Sequence, residues 1–367
     1  MVEWKKLGEI CDIGTGSNNR EDACDNGCYP FYVRSQEVLR INSYLYDEEA
    51  ILIPGEGAIG DIFHYVNGKY GLHQRTYRVH PITNSVKGRY IYYFLFANFK
   101  TYINAKSYKS TAASIRKPML LDFPIIIPSL SEQARIVGIL DTFTSAIDNL
   151  KEQIAQRRKQ YEYYRDQLLS KVNQTQRIGE LTKVFSCPRV FRDQWQDFGI
   201  PFWRSSDVMS YHNKVKNPRG EAFISQSLYE ELSKKSERIE EGDILVTGGG
   251  SIGIPYLKRD NTPLFVKDAD LICIKKCDTI MPSYLYHYFF SNDFRFYLNM
   301  ITHDATIAHY TIGQVLDTPI PVPSIEEQSR IVSILDTFEA SILNLEAQLK
   351  LREKQYEYYR NKLLTFE

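Results

Sequence analysis

Two glycine-rich stretches, residues 55–60 and 248–253, have the composition of loops that bind nucleotide phosphates. Such a loop must lead into a helix, because the helix N-terminus faces the phosphates. The residues after both stretches alternate instead like extended chain. We therefore interpret them as tight connections between strands. The sequence also has no G-x-x-x-x-G-K-[ST], H-E-x-x-H, or Asn-Pro-Pro or Asp-Pro-Pro aromatic motif, so we expect no catalysis and no cofactor in this chain.

Cysteines offer a second chemistry, metal binding. Cys24 and Cys28 have three residues between them, and Cys273 and Cys277 repeat that spacing. Structural zinc is more often held by pairs with two or four intervening residues. Cys273 also lies in an apolar, strand-like run. The sequence therefore favours free cysteines and predicts no metal site.

The strongest local signal is a basic segment between Asp61 and Asp122, which contains ten basic residues and no acidic one. A solvent-exposed surface normally mixes both signs, and bases interleaved with tyrosines are typical of a surface that faces phosphates. The sequence predicts a nucleic-acid surface here. Its candidate DNA-binding residues are Lys69, Arg75, Arg78, Lys106, Lys109, Arg116 and Lys117.

Basic residues are fewer and more mixed with acidic ones in the second half of the chain. We expect fewer and more local DNA contacts there, with candidates at Arg204, Lys214, Lys216, Arg219, His303 and His309. A guanidinium group matches the paired acceptors of guanine. The candidates for base-edge contacts are therefore Arg75, Arg78, Arg204 and Arg219.

The elements that position these candidates occur twice in the chain. Residues 124–169 and 319–364 align without a gap at an offset of 195, with 28 identities in 46 positions. Each copy is predicted to form a strand, a turn and one long helix. Looser similarity links the preceding segments, and their short alternating runs are broken by Gly, Pro, Asn and Asp. This pattern predicts two β-rich lobes of one fold with two specificities.

The predicted helices have a coiled-coil seam, because apolar residues recur at alternating steps of four and three. Arg157 and Arg352 interrupt the seam at the same place in each copy. These arginines either fix the register of the pair or extend their guanidinium groups to solvent. The other seam residues are Ile136, Leu140, Phe143, Ile147, Leu150, Ile154, Tyr161 and Tyr164, and then Ile331, Leu335, Phe338, Ile342, Leu345, Leu349, Tyr356 and Tyr359.

A helix of about 40 residues is roughly 60 Å long, and a compact lobe of the intervening size is narrower. The chain should therefore return close to where it left, so that the second helix runs antiparallel to the first. The predicted fold class is α+β with a pseudo-twofold repeat: two β-rich domains separated by two long antiparallel helices that form an intramolecular coiled coil. No apolar run reaches the length of a membrane span, and the N-terminus has no apolar signal segment, which favours a cytoplasmic protein.

This arrangement resembles the specificity subunits of type I restriction-modification systems. The resemblance covers the whole chain, and its most specific elements are Pro-Ser-x-x-Glu-Gln-x-x-Ile at residues 128–136 and 323–331. It implies target-recognition domains at residues 1–128 and 174–323, each of which contacts one half of a bipartite DNA site. It implies conserved spacer helices at residues 129–173 and 324–367.

The resemblance also implies partners. Double-stranded DNA would be the ligand, and two methyltransferase subunits that bind S-adenosylmethionine would dock on the helices. Candidate partner contacts are Glu132, Gln133, Glu327 and Gln328, and motor-nuclease restriction subunits can join such a complex. The alternative is a coiled-coil scaffold that binds proteins, has no DNA specificity and binds DNA weakly and without salt dependence.

Overall fold

The structure is a computed structural model that describes residues 3–57, 59–106, 114–171, 174–268, 270–302 and 309–366. The chain forms two compact units. Unit 1 comprises Met1–Lys151 and Ala347–Glu367, and unit 2 comprises Glu152–Glu346. Each of the two long helices contributes one part to each unit.

The first half of the chain begins with a β-rich lobe and ends with a long helix. Its strands are β1 (Glu3–Lys6), β2 (Cys11–Thr15), β3 (Tyr29–Tyr32), β4 (Val38–Ile41), β5 (Tyr46–Pro54), β6 (His64–Leu72), β7 (Thr76–Pro81) and β8 (Pro124–Ile127). Its helices are α1 (Leu7–Ile10), α2 (Gly88–Lys106), α3 (Lys117–Leu121) and α4 (Leu130–Leu169), with a 3-10 turn at Arg20–Asp22.

Unit 1 is built on a six-stranded sheet of order β2-β7-β5-β6-β3-β4. Its pairings are antiparallel except for that of β3 with β6. Helix α2 supplies aromatic and aliphatic side chains, such as Tyr90 and Phe94, to a core that also contains Ile51 and Val79 from the sheet. Alternation of buried and exposed residues along β2 explains why this strand covers one face of the core.

The second half also combines a β-rich lobe with a long final helix, and its strands are shorter. These are β9 (Thr175–Arg177), β10 (Val184–Phe185), β11 (Ile200–Trp203), β12 (Phe223–Ile224), β13 (Ile244–Thr247), β14 (Pro255–Leu257), β15 (Phe265–Val266), β16 (Leu271–Ile274) and β17 (Pro319–Pro321). The helices are α5 (Ile178–Leu181), α6 (Ser205–Asn213), α7 (Gln226–Leu232), α8 (Pro282–Tyr288), α9 (Asn292–Thr302), α10 (Ile312–Leu316) and α11 (Ile325–Leu364), with a 3-10 turn at Arg192–Gln194.

Unit 2 divides the equivalent strands among smaller sheets of order β10-β16-β13-β14, β12-β11-β15 and β17-β9. The central strands β13 and β16 are buried at every residue, as expected of strands covered on both faces. Two adjoining apolar clusters fill this unit, one against the long helices and one around β11 and α6.

The long helices start where the sequence predicts. Ser129 Oγ accepts a hydrogen bond from the Glu132 amide, and Ser324 Oγ accepts one from the Glu327 amide, both at 3.3 Å. A serine followed by glutamate in the first turn is a favourable helix start, because it satisfies a free amide and places negative charge at the positive end of the helix. Both helices run for 40 residues without interruption.

Contacts inside each unit show that the helix segments are antiparallel. In unit 1, Phe143 stacks on Tyr359 and Lys151 lies 4.0 Å from Glu353. In unit 2, Tyr164 stacks on Phe338 and Arg158 lies 2.6 Å from Glu346. Along α4 the residue numbers of these contacts rise from 143 to 164, while those of their α11 partners fall from 359 to 338. The α+β fold with two long antiparallel helices is therefore confirmed.

None of the helices in the described part of the chain combines the length and the hydropathy that a membrane span needs.

Candidate DNA-binding surfaces

The glycine-rich stretch of unit 1 forms a turn beside the end of β5. Gly57 and Gly60 have φ values of 89° and 73°, which glycine adopts without the steric cost that other residues meet. The Gly55 amide donates to the Arg75 carbonyl at 2.9 Å, and the chain then continues into β6 rather than into a helix. In unit 2, residues 248–253 likewise lead to strand β14. Both stretches are connections between strands, as predicted.

Arg75 lies at this turn and shares a carboxylate with a second arginine. Arg34 Nη1 and Arg75 Nη1 each lie 2.9 Å from Glu56 Oε2. Hydrogen bonds and charge from Arg75, followed by those from Arg34, lower the pKa of Glu56 below its ordinary value. Arg34 escaped sequence analysis because it lies before the basic segment, among acidic residues, where no local excess of charge marks it.

The acid-free segment is compensated in the fold by acidic residues from outside it. Arg78, with only 12% of its side chain exposed, pairs with Asp12 and Glu48. Its guanidinium group also lies 4.7 Å from the Tyr46 ring. These contacts place Arg78 within the fold as a structural ion pair, so we exclude it from the candidate surface.

Two further basic residues of the segment are compensated in the same way. Arg89 Nε lies 2.8 Å from Asp141 Oδ1, and its guanidinium group is surrounded by tyrosine rings. Lys100 pairs with Asp61. A sequence window contains only neighbours along the chain, and it therefore overstates the charge that the folded surface presents.

Three candidates of unit 1 remain exposed and form no ion pair with any described residue: Lys69, Arg116 and Lys117. Lys69 Nζ lies 4.7 Å above the Tyr44 ring, and Lys117 begins helix α3. Lys106 is the last residue of α2, and Lys109 lies outside the described residues. The structure thus leaves a smaller basic surface than the sequence predicted.

The candidates of unit 2 are similarly divided. Arg204 has 8% of its side chain exposed, pairs with Asp207 and donates to the Gly220 carbonyl. Lys214 adopts a left-handed conformation at the end of α6 and pairs with Glu346. Arg204 is therefore a structural residue, and we exclude it as a base contact.

Lys216, Arg219 and His309 are exposed in unit 2. Gly249 lies next to His309, because a Cβ atom at Gly249 would be 4.0 Å from His309 Nδ1. His303 lies outside the described residues.

The candidate partner contacts differ sharply in exposure. Gln133 and Gln328 are 0% exposed, so they are unable to contact another chain in this structure. Gln133 accepts from the Lys87 amide and donates to the carbonyls of Ser85 and Pro128, at 2.9–3.0 Å. The buried Gln133 side chain thus satisfies backbone groups of the surrounding chain. The prediction that these glutamines bind a partner is corrected to a structural role.

Gln328 makes the equivalent contacts with the backbone of Met281, Thr279 and Pro323. Glu132 and Glu327 point outward and form ion pairs within their own helices, with Arg135 and Arg330. Only the two glutamates remain available as partner contacts.

In the middle of the helices predicted seam residues contact the other helix, and near the ends they pack against the lobes. Arg157 lies 5.7 Å from the Phe338 ring in unit 2, and Arg352 lies 5.7 Å from the Phe143 ring in unit 1. Each arginine therefore packs on an aromatic ring of the other helix. Near the helix ends, Ile136 and Leu140 join the core of unit 1, as Ile331 and Leu335 join that of unit 2.

Tyr161 was predicted to lie in the seam, and it contacts the lobe of unit 2. Its hydroxyl is 2.9 Å from His287 Nδ1, while His287 Nε2 is 2.9 Å from Asp336 Oδ1. His287, Asp336 and Glu339 form the one group among the described residues with metal-ligand spacing. Both ring nitrogens of His287 already have protein partners, so we interpret the group as the joint between α8 and the long helices.

None of the six cysteines is paired in a disulfide. Cys11 and Cys187 are buried, and burial raises the pKa of each thiol to about 12. Thiols with such pKa values stay protonated at neutral pH, and the thiolate is the form that binds metals.

The sequence is similar to a known protein family and to several members of it. The sequence model of the family described as type I restriction modification DNA specificity domain matches residues 1–157 and 171–352. A Haemophilus influenzae protein named as a type I restriction enzyme specificity subunit is 29% identical over an alignment of 386 positions, which covers 100% of this chain and 96% of that protein. The type I restriction enzyme EcoDI specificity subunit of Escherichia coli is 26% identical over an alignment of 388 positions, which covers 95% of this chain and 84% of that protein.

A solved structure shares the fold. The type I restriction-modification S subunit from M. genitalium aligns with a TM-score of 0.65 at 15% identity, over 100% of this chain and 97% of that one. The two family matches together span most of the sequence and confirm the resemblance, so the chain belongs to the family of type I restriction-modification DNA specificity proteins.

Proposed function

We propose that this chain is the non-catalytic DNA-reading subunit of a type I restriction-modification system. In this proposal each unit recognises one half of a bipartite target, and the chain directs methyltransferase subunits to it. The observation that supports it best is that the DNA specificity family matches the chain twice, once over each lobe and its following helix. Two recognition domains in one chain imply two half-sites.

Exposed basic residues supply the affinity in this proposal. Lys69, Arg116 and Lys117 of unit 1, with Lys216 and Arg219 of unit 2, would contact phosphates. Each neutralised phosphate releases counterions, so binding should weaken as salt increases. Lys106, Lys109, Lys214, His303 and His309 remain predicted DNA contacts.

The long helices would set the distance between the half-sites. Each is an unbroken helix of 40 residues, which at 1.5 Å per residue is about 60 Å long. The domain boundaries at residues 128, 173 and 323 belong to this proposal. They assign both helices entirely to the spacer, whereas contacts within the fold divide each helix between the units.

The proposed partners are two methyltransferase subunits, and motor-nuclease subunits in a restriction complex. The duplication supports two equivalent docking surfaces, because exposed residues such as Tyr163 and Tyr358 recur at the same place in each copy. Exposed tyrosines are common in protein interfaces, since they bury a large ring and retain a polar group. S-adenosylmethionine would bind to the partners, and the complex would work in the cytoplasm, where the DNA is.

The proposal is tested by methylation. The chain is co-expressed with its neighbouring methyltransferase, and modified adenines are mapped across the host genome. We expect one motif with two specified parts separated by a spacer of fixed length. The methyltransferase expressed without this chain is the control and should leave the motif unmodified. A motif with no gap, or modification that does not depend on the chain, would contradict the proposal.

A further inference from the structure

In each unit, a backbone hydrogen bond joins the glycine-rich connection to a second loop at an equivalent place, which we call the corner. In unit 1, the Gly55 amide donates to the Arg75 carbonyl at 2.9 Å, and in unit 2 the Gly248 amide donates to the Asp270 carbonyl at 2.8 Å. The same glycines accept in turn, Gly55 from the Ile115 amide at 2.8 Å and Gly248 from the Tyr310 amide at 2.9 Å. Arg75 and Asp270 therefore occupy the same position of the shared frame.

A neighbouring strand pairing is also shared by the two units. The His73 amide donates to the Tyr32 carbonyl at 3.0 Å, and the Lys267 amide donates to the Trp203 carbonyl at 2.8 Å. Both bonds follow a parallel strand pairing, β3 with β6 in unit 1 and β11 with β15 in unit 2. The backbone hydrogen bonds are the same in the two units, but the corner carries Arg75 in unit 1 and Asp270 in unit 2.

In unit 1 the corner presents hydrogen-bond donors. Arg34, Arg75 and Glu56 have 44%, 55% and 41% of their side chains exposed, so the group faces solvent. A guanidinium group has five N–H donors, and Glu56 engages one from each arginine while it balances only one of the two charges. The carboxylate holds both arginines in place and leaves donors for a ligand.

The floor of this corner is polar and fixed. Arg34 and Glu56 line a cavity of about 250 Å³ together with Arg20 and His73. His73 Nδ1 accepts from the Arg75 amide at 3.0 Å, which leaves the ring proton on Nε2. Burial, followed by the charges of Arg34 and Arg75, lowers the pKa of His73. The ring therefore stays neutral and adds one more donor.

In unit 2 the equivalent corner presents an acceptor. Gly249 follows Gly248 as Glu56 follows Gly55, so a residue without a side chain takes the place of Glu56. Asp270 Oδ2 lies 2.8 Å from Lys267 Nζ, and both side chains are partly exposed. A Cβ atom at Gly249 would lie 3.7 Å from Asp270 Oδ1, so the glycine leaves space beside this carboxylate oxygen.

We infer that this corner is the base-reading position of each unit: Arg75, held with Arg34 by Glu56, contacts a guanine edge, and Asp270 contacts the amino group of cytosine. The inference rests on the proposed function. Guanine offers two acceptors, O6 and N7, to a guanidinium group in the major groove, and cytosine offers the N4 donor to a carboxylate. The same backbone arrangement thus recognises two different half-sites with different charged side chains.

The test compares three variants of the full chain, each in complex with the cognate methyltransferase, in selection from randomised duplexes and in binding at several salt concentrations. Arg75→Gln should relax preference for guanine at one position of one half-site by roughly 5- to 150-fold. Asp270→Asn should relax one position of the other half-site only. Lys117→Ala is the matched control, and it should weaken all sequences alike and reduce the salt slope by about 1.

The outcomes separate this inference from the proposed function. Uniform weakening by Arg75→Gln, with a reduced salt slope and unchanged preferences, would assign Arg75 to a phosphate and overturn the inference while the bipartite function stands. Relaxation of the same half-site by both Arg75→Gln and Asp270→Asn would also overturn it. A wild-type complex with no preferred sequence would reject the proposed function itself. Because Asp270→Asn is nearly isosteric, it keeps the test decisive if Arg75→Gln disturbs folding.

Discussion

The guanidinium group of Arg157 lies over the ring of Phe338, 5.7 Å from its centroid, and Arg352 repeats this contact with Phe143 at the same distance. The two contacts are equivalent under the offset of 195 residues. Each aromatic ring also stacks on a tyrosine of the other helix, Tyr164 or Tyr359. The polar seam position that the sequence left open is therefore a cation–π contact between the helices of each unit.

Arg157→Met and Arg352→Met should each lower the free energy of unfolding by about 0.5–1 kcal/mol, because methionine fills the position but has no charge for the ring. Urea unfolding followed by circular dichroism measures this loss. Lys159→Met, on the exposed side of the same helix, is the control and should change little. If the arginine variants are as stable as the wild type, the ring contact contributes nothing.

Gln133→Ala should destabilise unit 1 more than Glu132→Ala, although the two residues are adjacent. Gln133 is fully buried and makes three hydrogen bonds to backbone groups. Its replacement would cost about 1–3 kcal/mol for each of these groups that is left unsatisfied. Glu132 has 37% of its side chain exposed and forms an ion pair with Arg135, and such a surface ion pair contributes little.

The matched measurement uses thermal unfolding together with co-purification of the methyltransferase. If Gln133 has a structural role, Gln133→Ala lowers the melting temperature. Variant protein that stays folded should still bind the methyltransferase. Normal stability with lost partner binding would instead support the interface that the sequence first suggested.

Much of the fold could be predicted from the sequence because the chain contains an internal duplication. Identical residues at an offset of 195 located both helices and their seam, and hydrophobic periodicity identified their apolar face. The site was harder to predict, because charge compensation is a property of three-dimensional neighbours. Arg78 and Arg89 lie in an acid-free segment but pair with Glu48 and Asp141 from elsewhere in the chain.

Glu339→Gln should stabilise the protein in a pH-dependent manner. Burial raises the pKa of Glu339, with the charge of Asp336 acting in the same direction and His287 opposing it. A raised folded-state pKa means that the stability linked to this group is full below about 4.5 and is lost as pH rises through the folded-state value. The glutamine variant should therefore gain stability over the wild type at pH 7 and lose that advantage near pH 4.5.

Asp336→Asn provides the opposite sign in the same cluster. The hydrogen bond from His287 lowers the pKa of Asp336, so the stability that this carboxylate contributes is present above its unfolded-state pKa of about 3.8 and is lost as pH falls through the lower folded-state value. The asparagine variant should thus be less stable than the wild type at pH 7. Urea midpoints at several pH values test both, and a pH-independent effect of Glu339→Gln would refute the burial argument.

Replacement of Arg116 and Lys117 by alanine should weaken DNA binding for all sequences and flatten its salt dependence. Each lost phosphate contact reduces the slope of log K against log salt by about 0.9, so the double variant should lose about 1.8. Fluorescence anisotropy between low and moderate salt measures the slope. Lys350→Ala, an exposed residue of α11, is the control. An unchanged slope in the double variant would remove residues 116 and 117 from the DNA-binding surface.

Insertion of one heptad after Ile154 and another after Leu349 should change the spacer and leave both half-sites as they are. These positions are equivalent under the internal offset, and a heptad preserves the seam because the apolar pattern repeats every seven residues. Seven residues lengthen a helix by about 10.5 Å, which is the rise of about 3 base pairs of duplex DNA. Methylation mapping should therefore give the same two half-sites with a spacer about 3 base pairs longer. An altered half-site, or an unchanged spacer in a complex that still methylates DNA, would show that the helices do not set the distance between the recognition sites.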